Sequence, residues 1–278
     1  MHMIGRLSTK QKILFYSLLV IMAIAILFPI YYMIIISLKL PADIYRKPSL
    51  LPINPTLKNY NDLFQSGFLR SIGNSLIAAL SATFIALIVS CMAAYSLVRL
   101  KFRGRDLAGK LILFAYLTPS ALLFIPLSVI IAQLNLGNTL HGLIFVYLTF
   151  STPLSTWMLM GFFRGIPVDL EEQAMVDGAT RIQAMLKILL PLSAPGMIAV
   201  SVFTFTGAWN ELLLALIFIT SPSKQTVPVA LQYLITGDVF RWGLIMAGSV
   251  MAALPVMILY YLSQRFVVSG LAAGAVKG

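Results

Sequence analysis

Glu211 is the residue an apolar segment can least accommodate. It lies inside the run 192–219, which holds no other Asp, Glu, Lys or Arg. An ionised side chain at the centre of a membrane helix costs about 2.5–3.5 kcal/mol on insertion scales, so Glu211 requires a partner, water or a proton. At about 100° per residue, Ser201, Thr204, Ala208 and Glu211 share one helix face, with Gly207 beside it. That face suits a polar translocation path or its gate. It suits equally an interhelical hydrogen bond that only fixes packing. Asn210, grouped with these path candidates, points about 100° away and reads as structural.

Other chemistries lack their residues. The two histidines, His2 and His141, cannot build an H-E-x-x-H or multi-His metal site, and neither is placed to serve a serine nucleophile. The single cysteine, Cys91, allows neither an intrachain disulfide nor a cysteine-rich metal site. No G-x4-G-K-[ST] phosphate loop occurs, so ATP is not expected to bind here by that route. The expectation is a chain with no catalytic residues, no metal and no cofactor of its own.

A second constellation spans 164–191, which is amphipathic rather than loop-like. Asp169 and Glu172 have capping-box spacing and predict a helix start. Gly178 predicts its end, because glycine reaches the left-handed conformation at low cost. Thr180 and Gln183 form a second capping-box pattern, followed by Ile182, Met185, Leu186 and Leu189 at helical spacing. Pro191 suits the first turn of the next helix. Two short angled helices make a knob just outside the bilayer. Such a knob can lie on lipid headgroups or dock a protein. Asp169, Glu171, Glu172 and Asp177 would be repelled by anionic lipid, which favours a protein partner.

The elements that position these residues follow from composition. Of 278 residues, 59% are hydrophobic and only 10% charged, against about 25% charged in soluble domains. That is too little charge for a water-facing surface or a disordered chain. A helix crosses the hydrocarbon with about 20 apolar residues. Runs of that kind predict six spans, at about 13–38, 71–98, 111–132, 140–163, 192–219 and 243–266, within a transmembrane domain of residues 13–266. The third and fourth are separated at Gln133–Asn138, a polar turn cluster. The first run lacks a small-residue cleavage site and reads as a retained helix, not a signal peptide. The formal charge of +11 fits anchoring at anionic lipid and the positive-inside bias, not nucleic acid. Most Lys and Arg fall on one side, with Arg99, Lys101, Arg103, Arg105 and Lys110 the densest group. This places residues 1–12, the segment 168–190 and the tail 267–278 in the cytoplasm.

Here the sequence reaches a family. Glu172-Gln173-Ala174, three residues, Gly178, nine residues and Ile188-Leu189-Leu190-Pro191 resemble the E-A-A-x3-G-x9-I-x-L-P signature of permease subunits of binding-protein-dependent ABC importers. Gln173 departs from the pattern's alanine, but both are good helix formers. Asp177 before the glycine, the string Ala208-Trp209-Asn210-Glu211-Leu212 and the ending Gly270–Gly278 look like the carbohydrate-uptake, maltose-type branch.

The resemblance implies an all-α, six-helix membrane fold similar to type I ABC importer permeases. It implies an ATPase-docking segment carrying Glu171, Glu172, Ala174, Asp177, Gly178, Ile188 and Pro191. The implied partners are a cytoplasmic ABC ATPase dimer, which holds the ATP and Mg, a second permease subunit in a heterodimer, and an extracytoplasmic solute-binding protein. The implied location is the bacterial inner membrane, and the implied cargo a sugar or oligosaccharide. By position, the loop Thr220–Trp242, with Gln232, Tyr233 and Asp238, would reach the binding protein; it reads equally as a plain connector. The rival reading is a secondary transporter coupled to protons through Glu211. Such proteins usually carry internal repeats, and no convincing repeat relates 1–140 to 140–278.

Overall fold

The computed structural model describes residues 8–46, 49–52, 54–236 and 239–275. In chain order its helices are α1 (Thr9–Ser37), α2 (Pro41–Arg46), α3 (Lys58–Gln65), α4 (Phe68–Arg99), α5 (Arg105–Leu117), α6 (Ser120–Gln133), α7 (Leu140–Arg164) and α8 (Asp169–Val176). Then come α9 (Arg181–Ala184), a π turn (Met185–Leu189), α10 (Leu190–Leu192), α11 (Ala194–Trp209), α12 (Leu213–Phe218), α13 (Val227–Gln232) and α14 (Trp242–Ala275). The strands β1 (Ile235–Thr236) and β2 (Val239–Phe240) pair antiparallel, with Ile235 opposite Phe240. Among the described residues, four helices are long and apolar enough to cross a membrane: α1, α4, α7 and the Trp242–Phe266 part of α14. Two sharply bent helix pairs raise the number to six if each is one span.

The chain divides into two compact units, residues 1–68 with 233–253, and residues 69–232 with 254–278. In the first, Ser8 and Gln11 close a capping box at the start of α1. Most of α1 is apolar and exposed, the surface of an element whose solvent is lipid. Its end is tied down by polar groups. Asn59 Nδ2 donates to Ser37 O and Lys39 O, each at 2.8 Å. The buried Lys39 ammonium donates to Ser49 O at 2.6 Å and Ser49 Oγ at 2.9 Å. Gly243 at the start of α14 leaves room for the Asn59 amide, which a Cβ there would meet at 2.5 Å.

The second unit is organised around α7, with α5 and α11 packed against it. Its core joins Cys91, Ala94, Tyr95 and Leu97 of α4 to Leu159, Met160 and Phe163 of α7, Leu189 and Val200. Along α4, Ala78, Ala82 and Ala86 form a fully buried stripe, a small-residue face of the kind that lets membrane helices approach closely. Ser90 Oγ donates across to Thr152 O at 3.0 Å, and the Ser155 and Thr204 hydroxyls meet at 2.8 Å between α7 and α11.

Two of the expected continuous spans are broken. In the third, α5 and the 122–133 part of α6 diverge by 101°. Thr118 is extended there (ψ 124°), because the residue before a proline, here Pro119, is pushed out of the helical region. At the start of the fifth, 181–192 and α11 diverge by 75°. The new helix starts after Ser193, with Pro195 in its first turn, so Pro195 rather than Pro191 opens it. Ser193 Oγ donates to Leu189 O at 2.7 Å across the bend. The fifth run then stops again at Trp209, well short of residue 219.

Close packing of α11 on α7 requires a glycine at position 196, where a Cβ would lie 2.4 Å from the Phe162 ring. Gly196→Ala is expected to cost about 1–3 kcal/mol by overpacking. Thermal unfolding of the detergent-purified protein measures it, and Phe162→Ala in the same background should recover part of the loss.

Candidate functional site

Helix α8 begins at Asp169, but no side chain caps it; Val168 holds the cap position. The expected Asp169–Glu172 capping box therefore does not form. Asp169, Glu171 and Glu172 instead occupy the first turn, where negative charge complements the helix dipole. Gly178 ends the element at φ +94°, with Ala179 N donating to Ala174 O at 2.9 Å. The second capping box does form: Gln183 N donates to Thr180 Oγ1 at 3.3 Å, and Thr180 N to Gln183 Oε1 at 2.8 Å. The helix it starts passes at once into the π turn, burying Ala184 and Leu189.

This knob presents a mixed surface. Glu172, Asp177 and Gly178 are exposed, Ala174 and Ile188 are half-buried, and Pro191 is exposed. Asp169, Glu172, Gln173, Val176 and Asp177 line a shallow concavity. Among them stand large apolar side chains with nothing over them: Val176 is 86% exposed, Ile182 67% and Leu186 52%.

Glu171, expected with this docking group, faces the other way. Its side chain is buried, and its Oε1 accepts from Arg99 Nε at 2.6 Å. Arg99 Nη2 donates to Ile166 O at 2.8 Å. One guanidinium thus ties the end of α4 to the segment leaving α7 and to the first turn of α8. A carboxylate shielded in this way has its partner within the chain and does not reach a docking surface. No local pattern signals this pairing, because the two residues lie 72 positions apart.

The path candidates are also redistributed. Glu211 is not on an α11 face, since α11 ends at Trp209 and Asn210 is its exposed C-cap residue. The Glu211 carboxylate instead accepts from Leu214 N at 2.9 Å and Ala215 N at 3.0 Å. It caps the first turn of α12 and supplies the partner that an acid inside an apolar run demands. Thr204, Ala208 and Glu211 line one cavity. Ser201, bonded to Met197 O, is not among its lining residues. Sequence reasoning missed the aromatic wall of this cavity, Tyr116, Tyr147, Phe150 and Phe203. An aromatic in an apolar run is indistinguishable from core filling until its neighbours are known.

The 220–242 loop is anchored in its first part. Asn138 Oδ1 accepts from Thr220 N and Ser221 N, and Lys224 Nζ donates to Asn138 O at 2.7 Å. Asn74 Nδ2 donates to Ser223 O and Gln225 O, so Asn74 serves to hold this loop. Gln232 and Tyr233 are exposed, and Asp238 lies outside the described residues. Among the described residues, no group of three His, Cys, Asp or Glu could hold a metal ion.

These helices, with two bent pairs among the candidate spans and a charged knob, describe a multi-spanning, largely helical membrane protein. Residues 86–272 match the family model described as binding-protein-dependent transport system inner membrane component. The chain is 39% identical over 274 residues to the inner membrane ABC transporter permease protein YcjP of Escherichia coli, covering 97% of this chain and 98% of that protein. It is 36% identical to the trehalose/maltose transport system permease protein MalG of Thermococcus litoralis, covering 98% and 99%. A chain of the bacterial ABC transporter that imports the acidic polysaccharide alginate shares the fold, with a TM-score of 0.79 at 22% identity over 93% of this chain and 98% of that one.

The protein therefore belongs to the inner membrane components of binding-protein-dependent transport systems. It is a permease subunit of an ABC importer, a multi-pass inner membrane protein and not an enzyme. Such systems combine permease, ATPase and binding protein, which displaces the proton-coupled alternative. Breaking the buried Arg99–Glu171 pair leaves a charge without a partner, which typically costs about 3–5 kcal/mol. Glu171→Ala should therefore lower the melting temperature in detergent and expose the 166–180 segment to limited proteolysis, whereas Glu172→Ala should do neither.

Proposed function

We propose that this permease imports a sugar or oligosaccharide, and that the knob at 168–190 is where a cytoplasmic ATPase drives it. The observation that carries the docking reading is the exposure of Val176, Ile182 and Leu186 on an acidic element held to the bundle by Arg99 and Glu171. Apolar groups beside charges suit a protein cleft better than an anionic lipid surface. Glu172, Ala174, Asp177, Gly178, Ile188 and Pro191 form the docking segment, with Glu171 a positioning residue behind it. The carbohydrate cargo is supported by the trehalose and maltose named for one relative and the diacetylchitobiose named for another.

In this reading the chain pairs with a second permease to enclose the pathway. The ATPase dimer binds ATP and Mg; its closure moves the knob as a lever, and the two permeases rock to open outward. Both termini are cytoplasmic, by the distribution of Lys and Arg. A solute-binding protein delivers cargo at the opposite side, against the loop carrying Gln232, Tyr233 and Asp238.

Gly178 holds a left-handed backbone that a β-branched residue adopts only with strain. Gly178→Val and Glu172→Lys are each expected to reduce ATPase co-purification and ATP-driven uptake by about tenfold or more (roughly 1.4 kcal/mol per decade), with membrane insertion intact. Unchanged uptake in both variants would remove the lever.

A further inference from the structure

The cavity beside Glu211 has an unexplained feature. Tyr147 on α7 is only 3% exposed, and its hydroxyl has no hydrogen-bond partner among the described residues. An unsatisfied buried hydroxyl is costly and calls for an explanation, an unmatched polar partner among them. The Tyr147 side chain is part of the lining of a cavity of about 350 Å³, within the size range of small-molecule sites, about 300–1,000 Å³. Glu211 lines the same cavity.

We propose that this cavity is a subsite for a neutral sugar, carried by this subunit itself, with the Tyr147 hydroxyl as its anchoring hydrogen-bond group. The proposal rests on the carbohydrate reading above and adds where the sugar is held and what charge it bears.

Three properties of the lining support it. Tyr116, Phe150 and Phe203 give flat apolar surfaces, the complement of the C–H face of a sugar ring. Ser151, Tyr147 and Glu211 give hydrogen-bonding groups at separate points, as a ring bearing several hydroxyls requires. Glu211 already accepts two backbone N–H groups, yet a carboxylate offers about four acceptor sites, so it can still take a sugar hydroxyl.

The charge balance sets the class of sugar. Among the lining residues there is one carboxylate and no Lys, Arg or His. A phosphorylated, sulfonated or uronic sugar would meet a negative charge with no cation to offset it. A neutral ring meets only acceptors and donors.

The test uses the complete importer, with partner permease, ATPase and binding protein, in proteoliposomes. The probes are maltose, trehalose and diacetylchitobiose as neutral sugars and sulfoquinovosyl glycerol as an anionic one, cargoes named for relatives. Tyr147→Phe keeps the ring and removes only the hydroxyl. It is expected to lower neutral sugar moved per ATP hydrolysed by about three- to tenfold. ATP hydrolysis stimulated by the binding protein should stay unchanged, and thermal stability should stay equal or rise, because an unpaired buried group is gone.

If the wild type imports a neutral probe and Tyr147→Phe moves as much per ATP, the subsite is wrong while the carbohydrate reading stands. Parallel loss of stability and ATP hydrolysis in Tyr147→Phe would make the hydroxyl structural and also overturn the subsite. Import of sulfoquinovosyl glycerol alone would overturn its neutrality. Import of none of the four would overturn the carbohydrate reading and the subsite together.

Discussion

A helix interrupted inside hydrocarbon leaves backbone N–H groups that water cannot reach. The run 192–219 contains such an interruption between Trp209 and Leu213, and Glu211 resolves it. Its two carboxylate oxygens take the amides of Leu214 and Ala215. The same contact accounts for the acid itself, since an ionised side chain in an apolar run needs donors. Residues on both sides of the break, Gly207 and Ala208 before it and Leu214 after it, line one cavity with Glu211. The Ser193 hydroxyl performs a related duty at the preceding bend, bonding back to Leu189 O.

The knob depends on a different solution to the same difficulty of placing charge. Glu171 and Arg99 are both buried, and each is the other's partner. That pairing turns one of three first-turn acids inward and leaves Glu172 outward. The outward face then carries both charge and exposed apolar side chains. The knob therefore combines an anchored root with an exposed apolar surface. The root is supplied by Arg99, whose second bond to Ile166 O reaches the segment between α7 and α8.

Local signals in the sequence were reliable where the physics is local. The Thr180–Gln183 capping box and the left-handed Gly178 formed as their spacing requires, because each involves atoms within a few residues. Helices long enough to cross the bilayer follow from apolar runs, since the hydrocarbon thickness sets their length. The signature from Glu172 to Pro191 pointed to the family because several residue types recur at fixed spacing within one short segment. Failures were also local in kind: Asp169 and Glu172 have capping spacing, yet Val168 occupies the cap.

Tertiary structure alone decided the rest. Whether Glu171 faces a partner or the bundle depends on Arg99, 72 residues away, and no periodicity encodes that choice. The role of Glu211 hinged on a helix ending at Trp209, whereas a uniform helical wheel presumes continuity. Tyr147 and Phe203 read as filler in a sequence that is 59% hydrophobic, because an aromatic in an apolar run has the same signature in a core, against lipid or along a cavity. Composition and spacing determined that this chain is a set of membrane helices with a charged, amphipathic knob. The three-dimensional packing determined which polar atoms meet each other and which remain free, because in a low-dielectric interior that pairing is settled by distance and not by order along the chain.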